Sequence, residues 1–222
     1  MLSTLFFGLC ACEKMEQFED GFNSDLSTQE IYETYPDVRP LWEGKHNEAA
    51  RWTMHVLRQL EKTPQNFLAT IPTDQDIFCP NYQNLNREQR KYFWAFIISL
   101  MVRFEGNYNP AATYEESFDD STGQPVVSRG LLQISFESSQ SYGCGFTSAG
   151  QLHDAFRNLS CGINILKKWV PADQSIAGYL DENWRGGARY WSTLRSADKD
   201  SYNTIVKRSS ELTLCQLAKP IP

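Results

Sequence analysis

Apolar residues recur at helical spacing in several stretches of the chain. They predict helices over residues 47–62, Arg87–Glu105, 154–170, 188–194 and 201–207. The helix over Arg87–Glu105 is strongly apolar, which is typical of a helix in the middle of a hydrophobic core. The pattern therefore predicts a mostly helical protein.

The residues that flank these stretches predict where the helices begin and end. Asn86 can cap the second helix in a capping box with Gln89. Gly106 is expected to supply a left-handed exit at its other end, since glycine adopts positive φ without strain. Pro171 is expected to end the third helix because proline cannot continue the hydrogen-bonding pattern.

Strand-like alternation occurs in the middle of the chain, over residues 113–118 and 125–128. The polar residues between these stretches predict a β-hairpin, with Asp119 and Asp120 as turn formers. Successive side chains of a strand point to opposite faces, so Glu115 and Glu116 cannot both face the same side of the hairpin.

The cysteines predict how distant parts of the chain are linked. Once Cys10 and Cys12 are set aside, four cysteines remain, and they allow three pairings. The favoured pairs are Cys144–Cys161 and Cys79–Cys215. The first closes a short loop and would stabilise the folded state by about 3 kcal/mol, and the second would link the end of the chain to its middle. The cysteines form no Cys-x-x-Cys pair and the three histidines are isolated, so neither a metal nor a cofactor is predicted.

The sequence divides into three parts. Residues 1–12 are apolar and uncharged and resemble the end of a secretion signal, although the run is too short to span a membrane. Residues 13–78 are interpreted as an N-terminal extension with one amphipathic helix, and within it the turn-rich stretch 13–45 as a linker or wrapping arm. Residues 79–222 form the predicted main domain.

Cys12 lies in a short sequence, Leu9-Cys10-Ala11-Cys12, that resembles a bacterial lipobox. Lipidation of Cys12 and an ordinary cleaved signal are both compatible with it. Either alternative predicts an exported protein, which is periplasmic, an outer-membrane lipoprotein or secreted. A lipid on Cys12 is the single contact with a membrane that the sequence suggests.

Net charge and composition limit the classes of molecule that the protein is expected to bind. The 222 residues contain 21 Lys+Arg and 27 Asp+Glu, which gives a net charge of −6. Nucleic acid is therefore an unfavourable partner, since its binding relies on neutralising phosphates. Aromatic residues make up 13% of the chain and are suited to contacts with sugar rings as well as to a core.

The chemistry that the sequence can support is carboxylate chemistry. The chain has no Gly-x-Ser-x-Gly motif and no phosphate-binding glycine loop. Glu105, in contrast, ends the most apolar predicted helix and precedes a turn. Burial of a carboxyl group disfavours its charged form, so Glu105 can stay protonated near neutral pH and act as a general acid.

Three segments resemble the family of soluble lytic transglycosylases and goose-type lysozymes. They are Arg-Phe-Glu-Gly-Asn-Tyr-Asn-Pro at 103–110, Gly-Leu-Leu-Gln-Ile-Ser at 130–135 and Asn-Leu-Ser-Cys-Gly at 158–162. The resemblance covers about residues 79–194. It implies a lysozyme-like α+β fold with a small β-hairpin at the active-site cleft. It also implies cleavage of the β-1,4 bond between N-acetylmuramic acid and N-acetylglucosamine in peptidoglycan, by a monomer.

The resemblance assigns roles to particular residues. Glu105 matches the catalytic acid, and Gln133 and the backbone around Gly130 match the wall of the sugar cleft. Ser128, two residues before Gly130, is a further candidate for binding substrate. The family's third motif, of the Ala-Tyr-Asn-Ala-Gly type, is replaced here by residues 183–188. The aromatic ring of that motif's tyrosine is expected to be supplied here by Tyr190 or by Trp191.

The segment after Glu105 is longer and more acidic than in most transglycosylases. A transglycosylase can work with one glutamate and leaves an anhydro product, whereas a hydrolase usually needs a second carboxylate, for which Glu116 is favoured over Glu115. The acidic segment also suggests tolerance of, or preference for, de-N-acetylated glycan, which carries ammonium groups. The alternative is an inactive, peptidoglycan-binding lipoprotein on the same fold.

Overall fold

The computed structural model describes residues 27–62 and 65–216, and it has a mostly helical α+β architecture. The predicted signal segment and Cys12 lie outside the described residues. Eight α-helices, α1 to α8, occur in the described part of the chain: Thr28–Thr34, Ala49–Glu61, Gln65–Ala69, Gln75–Phe78, Arg87–Glu105, Phe136–Ser141, Ala155–Asp173 and Lys199–Ser210.

Two small antiparallel sheets accompany the helices. The first has the order β1 (Thr113–Asp119), β2 (Pro125–Arg129) and β3 (Ile134–Ser135), and the second pairs β4 (Tyr179–Leu180) with β5 (Asn183–Trp184). The predicted hairpin is therefore present as β1 and β2. The short strands β3, β4 and β5 escaped prediction because two residues are too few to show an alternation.

Helix α5 lies in the middle of the core and has the predicted bounds. The side chain of Asn86 accepts the backbone N–H of Gln89, and the Gln89 side chain accepts that of Asn86, so the capping box is confirmed. Helices α2 and α8 pack against α5. Because the side chains of α5 are buried along most of its length, the helix is a stable support for Glu105 at its C-terminal end.

The described N-terminal residues pack on this same core. The predicted helix over 47–62 is α2, and three short helices, α1, α3 and α4, were not predicted. Ile31, Val38 and Trp42 are fully buried, so the described part of the 13–45 stretch is an arm that wraps the core. One continuous cluster of buried residues extends from this arm through α5 and α7 to the C-terminal helix α8.

Helix α7 corrects the prediction that Pro171 ends it. The helix continues to Asp173, and Gln174 then closes it in the left-handed conformation and donates its N–H to the carbonyl of Val170. Pro171 has no N–H, so α7 loses one hydrogen bond to its preceding turn there, but the fixed φ of proline is compatible with a helix and α7 continues for two further residues.

The predicted helix over 188–194 is also wrong. The structure has two short 3₁₀ turns there, Gly186–Arg189 and Ser192–Leu194. Asp173 accepts hydrogen bonds from the Gly186 N–H and from the Arg189 side chain, at 2.7–2.8 Å. These contacts hold the first turn in a tight conformation, in which Gly186 has a φ of +58°.

Both favoured disulfides are confirmed. Cys79 is bonded to Cys215 and Cys144 to Cys161. Disulfides of this kind indicate an oxidising, exported environment. Among residues 27–62 and 65–216, the helices are all too short or too polar to cross a membrane.

Candidate functional site

The end of α5 places Glu105 next to a tight backbone crossing. Gly106 was expected to take a left-handed conformation, but its φ is −107°, and Asn107 and Tyr108 adopt positive φ instead. A Cβ on Gly106 would lie 2.8 Å from the carbonyl oxygens of Gly130 and Leu131. Glycine is therefore required at 106 because two backbones meet there.

Asn158, on α7, fixes the loop on the other side of this crossing. Its side chain is fully buried, accepts the N–H of Leu132 at 2.9 Å and donates to the carbonyls of Arg129 and Leu152 at 3.0 Å. Gly130 has a φ of +79°, and a Cβ there would meet the Leu152 carbonyl at 2.3 Å. The segments at 130–135 and 158–162 are thus parts of one structural unit beneath Glu105.

A cleft of about 250 Å³ opens between this unit, the β1–β2 hairpin and the turns that follow β5. Both glutamates predicted to be catalytic line it, as do three of the four residues predicted to bind substrate. The lining residues are Glu105, Glu116, Phe118, Val126, Ser128, Gln133, Ser135, Glu137, Ser138, Tyr190, Trp191, Ser192 and Arg195.

Glu105 sits partly buried in the wall of the cleft. Desolvation raises its pKa to about 7, and the charges of Glu116 and Asp198 act in the same direction. Two groups oppose this shift: the Thr193 hydroxyl, which donates to Glu105 Oε1 at 2.6 Å, and the charge of Arg195. Desolvation dominates, so a large fraction of Glu105 is protonated at neutral pH.

Glu116 reaches the cleft from β1, on the more exposed wall. Its Oε1 accepts a hydrogen bond of 2.6 Å from the hydroxyl of Ser128, which lies on the neighbouring strand β2. Glu115 is exposed and is not among the residues that line the cleft. Ser128 was predicted to bind substrate, and in this structure its contact is with Glu116.

The remaining predicted site residues differ in how they are placed relative to the cleft. The Gln133 side chain is buried and donates to the carbonyl of Gly130 at 2.8 Å, while Gly130 itself lies behind the cleft against Gly106. Tyr190 and Trp191, the two candidates for the third-motif ring, both line the cleft. The Tyr190 hydroxyl accepts the backbone N–H of Ser135 at 3.3 Å.

Several lining residues were missed at the level of sequence. Arg195, which lines the cleft, directly follows the predicted helix over 188–194, and Glu137 follows β3, which was not predicted. Thr193 lies within the predicted helix and contacts Glu105 without lining the cleft. The one signal in the sequence was the departure from the family's third motif at 183–188. Which side chains this different segment brings to Glu105 depends on contacts between residues almost ninety positions apart.

The described residues form a mostly helical α+β protein with two glutamates in one cleft. Solved structures of other proteins have a similar fold. The structure "Bd0314 DslA wild-type form 2", of a Bdellovibrio protein, is 53% identical over 81% of this chain and 99% of that chain, with a TM-score of 0.79. The present chain therefore belongs to the same protein family as DslA.

Two further matching structures are mutants of DslA, each with one glutamate replaced by glutamine. They are 52% identical over 81% of this chain and 99% of that chain, with TM-scores of 0.79 and 0.78. Comparison with protein-family models and with curated proteins gives no match.

Proposed function

We propose that this protein is a peptidoglycan-cleaving glycosidase with a lysozyme-like fold, and that its bond of attack is the β-1,4 link between N-acetylmuramic acid and N-acetylglucosamine. One observation carries the proposal: Glu105, whose pKa is raised to about 7, shares a cleft with a second glutamate, Glu116. A protonated carboxyl group paired with a second carboxylate is the usual machinery of glycoside hydrolysis.

Glu105 acts as the general acid. Its desolvated carboxyl group keeps a proton near neutral pH and can deliver it to the oxygen of the leaving sugar. The hydroxyl of Thr193 holds one carboxyl oxygen, Oε1, at 2.6 Å, and the other oxygen, Oε2, is the one proposed to carry the transferable proton. The Glu105 side chain thus has a fixed orientation as well as a suitable pKa.

Glu116 is the second carboxylate. It either accepts a proton from the attacking water or attacks the sugar itself, and Ser128 fixes its orientation in both cases. A second carboxylate in the cleft favours hydrolysis over the formation of an anhydro sugar, since the latter needs one glutamate alone. We therefore propose a hydrolase, of the lysozyme type.

The mutants of DslA support both assignments. The two glutamates replaced by glutamine in that protein are eleven positions apart, and Glu105 and Glu116 are also eleven positions apart. At 53% identity between the chains, the same separation of two glutamates is expected for equivalent residues.

The charge of the cleft supports a preference for de-N-acetylated glycan. Among the lining residues, Glu116 and Glu137 are the carboxylates besides the proposed acid Glu105, and Arg195 is the one basic residue. An ammonium group on the sugar gains from this field, whereas an acetamido group does not. Digestion of acetylated and chemically deacetylated cell walls side by side tests this preference. Faster release of fragments from the acetylated wall would contradict it.

The experiment that tests the proposed function is digestion of purified cell walls by the wild-type protein and by Glu105→Gln. We expect the wild type to release soluble glycan fragments and the variant to release at least about 1000-fold less per unit time, since glutamine keeps the shape but donates no acidic proton. Equal thermal stability of the two proteins is the control for folding. Binding of walls without release of fragments by the wild type would indicate the alternative, an inactive peptidoglycan-binding protein.

A further inference from the structure

The β4–β5 hairpin carries an exposed aromatic pair outside the cleft. Tyr179 is 56% exposed, and its ring centroid lies 4.6 Å from that of the half-buried Trp184, with 52° between the ring planes. Leu180, the next residue of β4, is also 60% exposed, with its side chain on the other face of the hairpin by strand alternation. Clustered apolar side chains on a surface commonly mark a place where a ligand or partner binds.

Arg195 connects this pair to the cleft. It lines the cleft, and its guanidinium carbon lies 5.5 Å from the centroid of the Trp184 ring. Its Nε donates to the carbonyl of Ala188 at 2.9 Å, which fixes the side chain between the two features. A polymer that leaves the cleft past Arg195 would therefore meet the aromatic pair next.

The hairpin is held in place from below. The N–H of Arg185 donates to the carbonyl of Gly178 at 2.8 Å, and Asp173 accepts the N–H of Gly186 at 2.8 Å. Just before β4, the carboxylate of Asp74 accepts the N–H groups of Ile176 and Ala177, both at 2.8 Å. Because these contacts fix both ends of the hairpin, a ligand need not order it on binding.

The tip of the hairpin adds polar groups suited to a sugar. Asp181 and Glu182 both adopt positive φ, +49° and +60°, and both are exposed. The exposed face of an aromatic ring with carboxylates nearby suits a pyranose ring, which has an apolar face and a rim of hydroxyl or amino groups that donate hydrogen bonds.

We propose that Tyr179 and Trp184 form a platform that binds a sugar ring of the glycan strand beyond the cleft. The platform extends the proposed function and rests on it. It binds long strands more tightly than the cleft alone could and takes no part in the chemistry. Short oligosaccharides that fill the cleft alone do not reach it.

The test is to compare Tyr179→Ser with Tyr179→Phe, which keeps the ring. Each protein is assayed with long soluble peptidoglycan strands and with a tetrasaccharide, and strand binding is measured in the Glu105→Gln background so that no cleavage interferes. We expect Tyr179→Ser to raise KM and Kd for long strands by about three- to tenfold, with kcat and tetrasaccharide cleavage unchanged, and Tyr179→Phe to match the wild type.

Other results separate the two proposals. If the wild type cleaves strands but Tyr179→Ser binds them as tightly as the wild type, the platform is wrong and the proposed function stands. An equal loss in Tyr179→Ser and Tyr179→Phe would also contradict a stacking platform. If the wild type neither binds nor cleaves strands, both the platform and the proposed function are wrong. Thermal unfolding of every variant, with Ile77→Ser as an exposed apolar control on α4, checks that the fold is intact.

Discussion

The two walls of the cleft place their glutamates in opposite settings. Glu105 stands at the end of a buried helix, where desolvation raises its pKa to about 7. Glu116 stands on the more exposed hairpin and accepts a hydrogen bond from Ser128. The same residue type therefore has two different environments in one cleft, because the backbone elements that carry the two glutamates differ in burial, and the proposed function gives each glutamate a different role.

After the loss expected for Glu105→Gln, the next largest effect tests the exposed wall. Replacing Glu116 by glutamine removes the second carboxylate and is expected to lower kcat on cell-wall glycan by about 100- to 1000-fold. The matched control is Glu115→Gln, one position earlier on the same strand, which is expected to stay within about twofold of the wild type. Equal losses in the two variants would contradict the assignment of Glu116.

The next effect concerns the free energy of unfolding, which depends on pH because the Glu105 carboxyl group is buried. Its pKa in the folded protein, about 7, exceeds the ordinary value of 4.5, so the folded state retains a proton that the unfolded state has already released. The resulting stabilisation is complete below about pH 4.5 and is lost as the pH rises through 7. Glu105→Gln is therefore expected to be about 1–3 kcal/mol more stable relative to the wild type at pH 8 than at pH 4.5.

Urea denaturation of the wild type and Glu105→Gln at both pH values measures this difference. A difference in the free energy of unfolding that does not change with pH would show that Glu105 titrates normally, and the contrast between the two walls would then disappear.

The smallest effect concerns the hydroxyl groups that contact the two glutamates. The Thr193 hydroxyl lowers the pKa of Glu105, so Thr193→Val is expected to move the loss of activity at high pH to a higher pH, with less than about tenfold change in rate at the optimum. Ser128→Ala removes the bond to Glu116 and is expected to leave this high-pH limb in place. The pH profiles of kcat/KM for both variants check the prediction, and a shift of the limb in Ser128→Ala alone would contradict it.

Features that depend on neighbouring residues were predictable from the sequence. The capping box at Asn86 and the bounds of α5 follow from local spacing. Strand alternation predicts that only one of Glu115 and Glu116 faces the cleft, and Glu116, the favoured one, lines it. The disulfide of Cys144 and Cys161 closes a short loop, and it was preferred for that reason.

Apart from the disulfide between Cys79 and Cys215, the features below that depend on contacts between distant segments were not predictable. Gly106 looks like an ordinary helix terminator, and its need for a close approach becomes visible once Gly130 lies against it. Pro171 looks like a helix end, yet α7 continues for two more residues. Thr193 carries no motif, and its role follows from the folded position of the turn Ser192–Leu194, which brings its hydroxyl to Glu105.

Mass spectrometry of the glycan ends released from peptidoglycan tests the central claim most directly. Two carboxylates in one cleft predict hydrolysis, so the wild type should release fragments that end in a reducing sugar. Fragments that end in an anhydro sugar would contradict the role given to Glu116, because that product needs Glu105 alone.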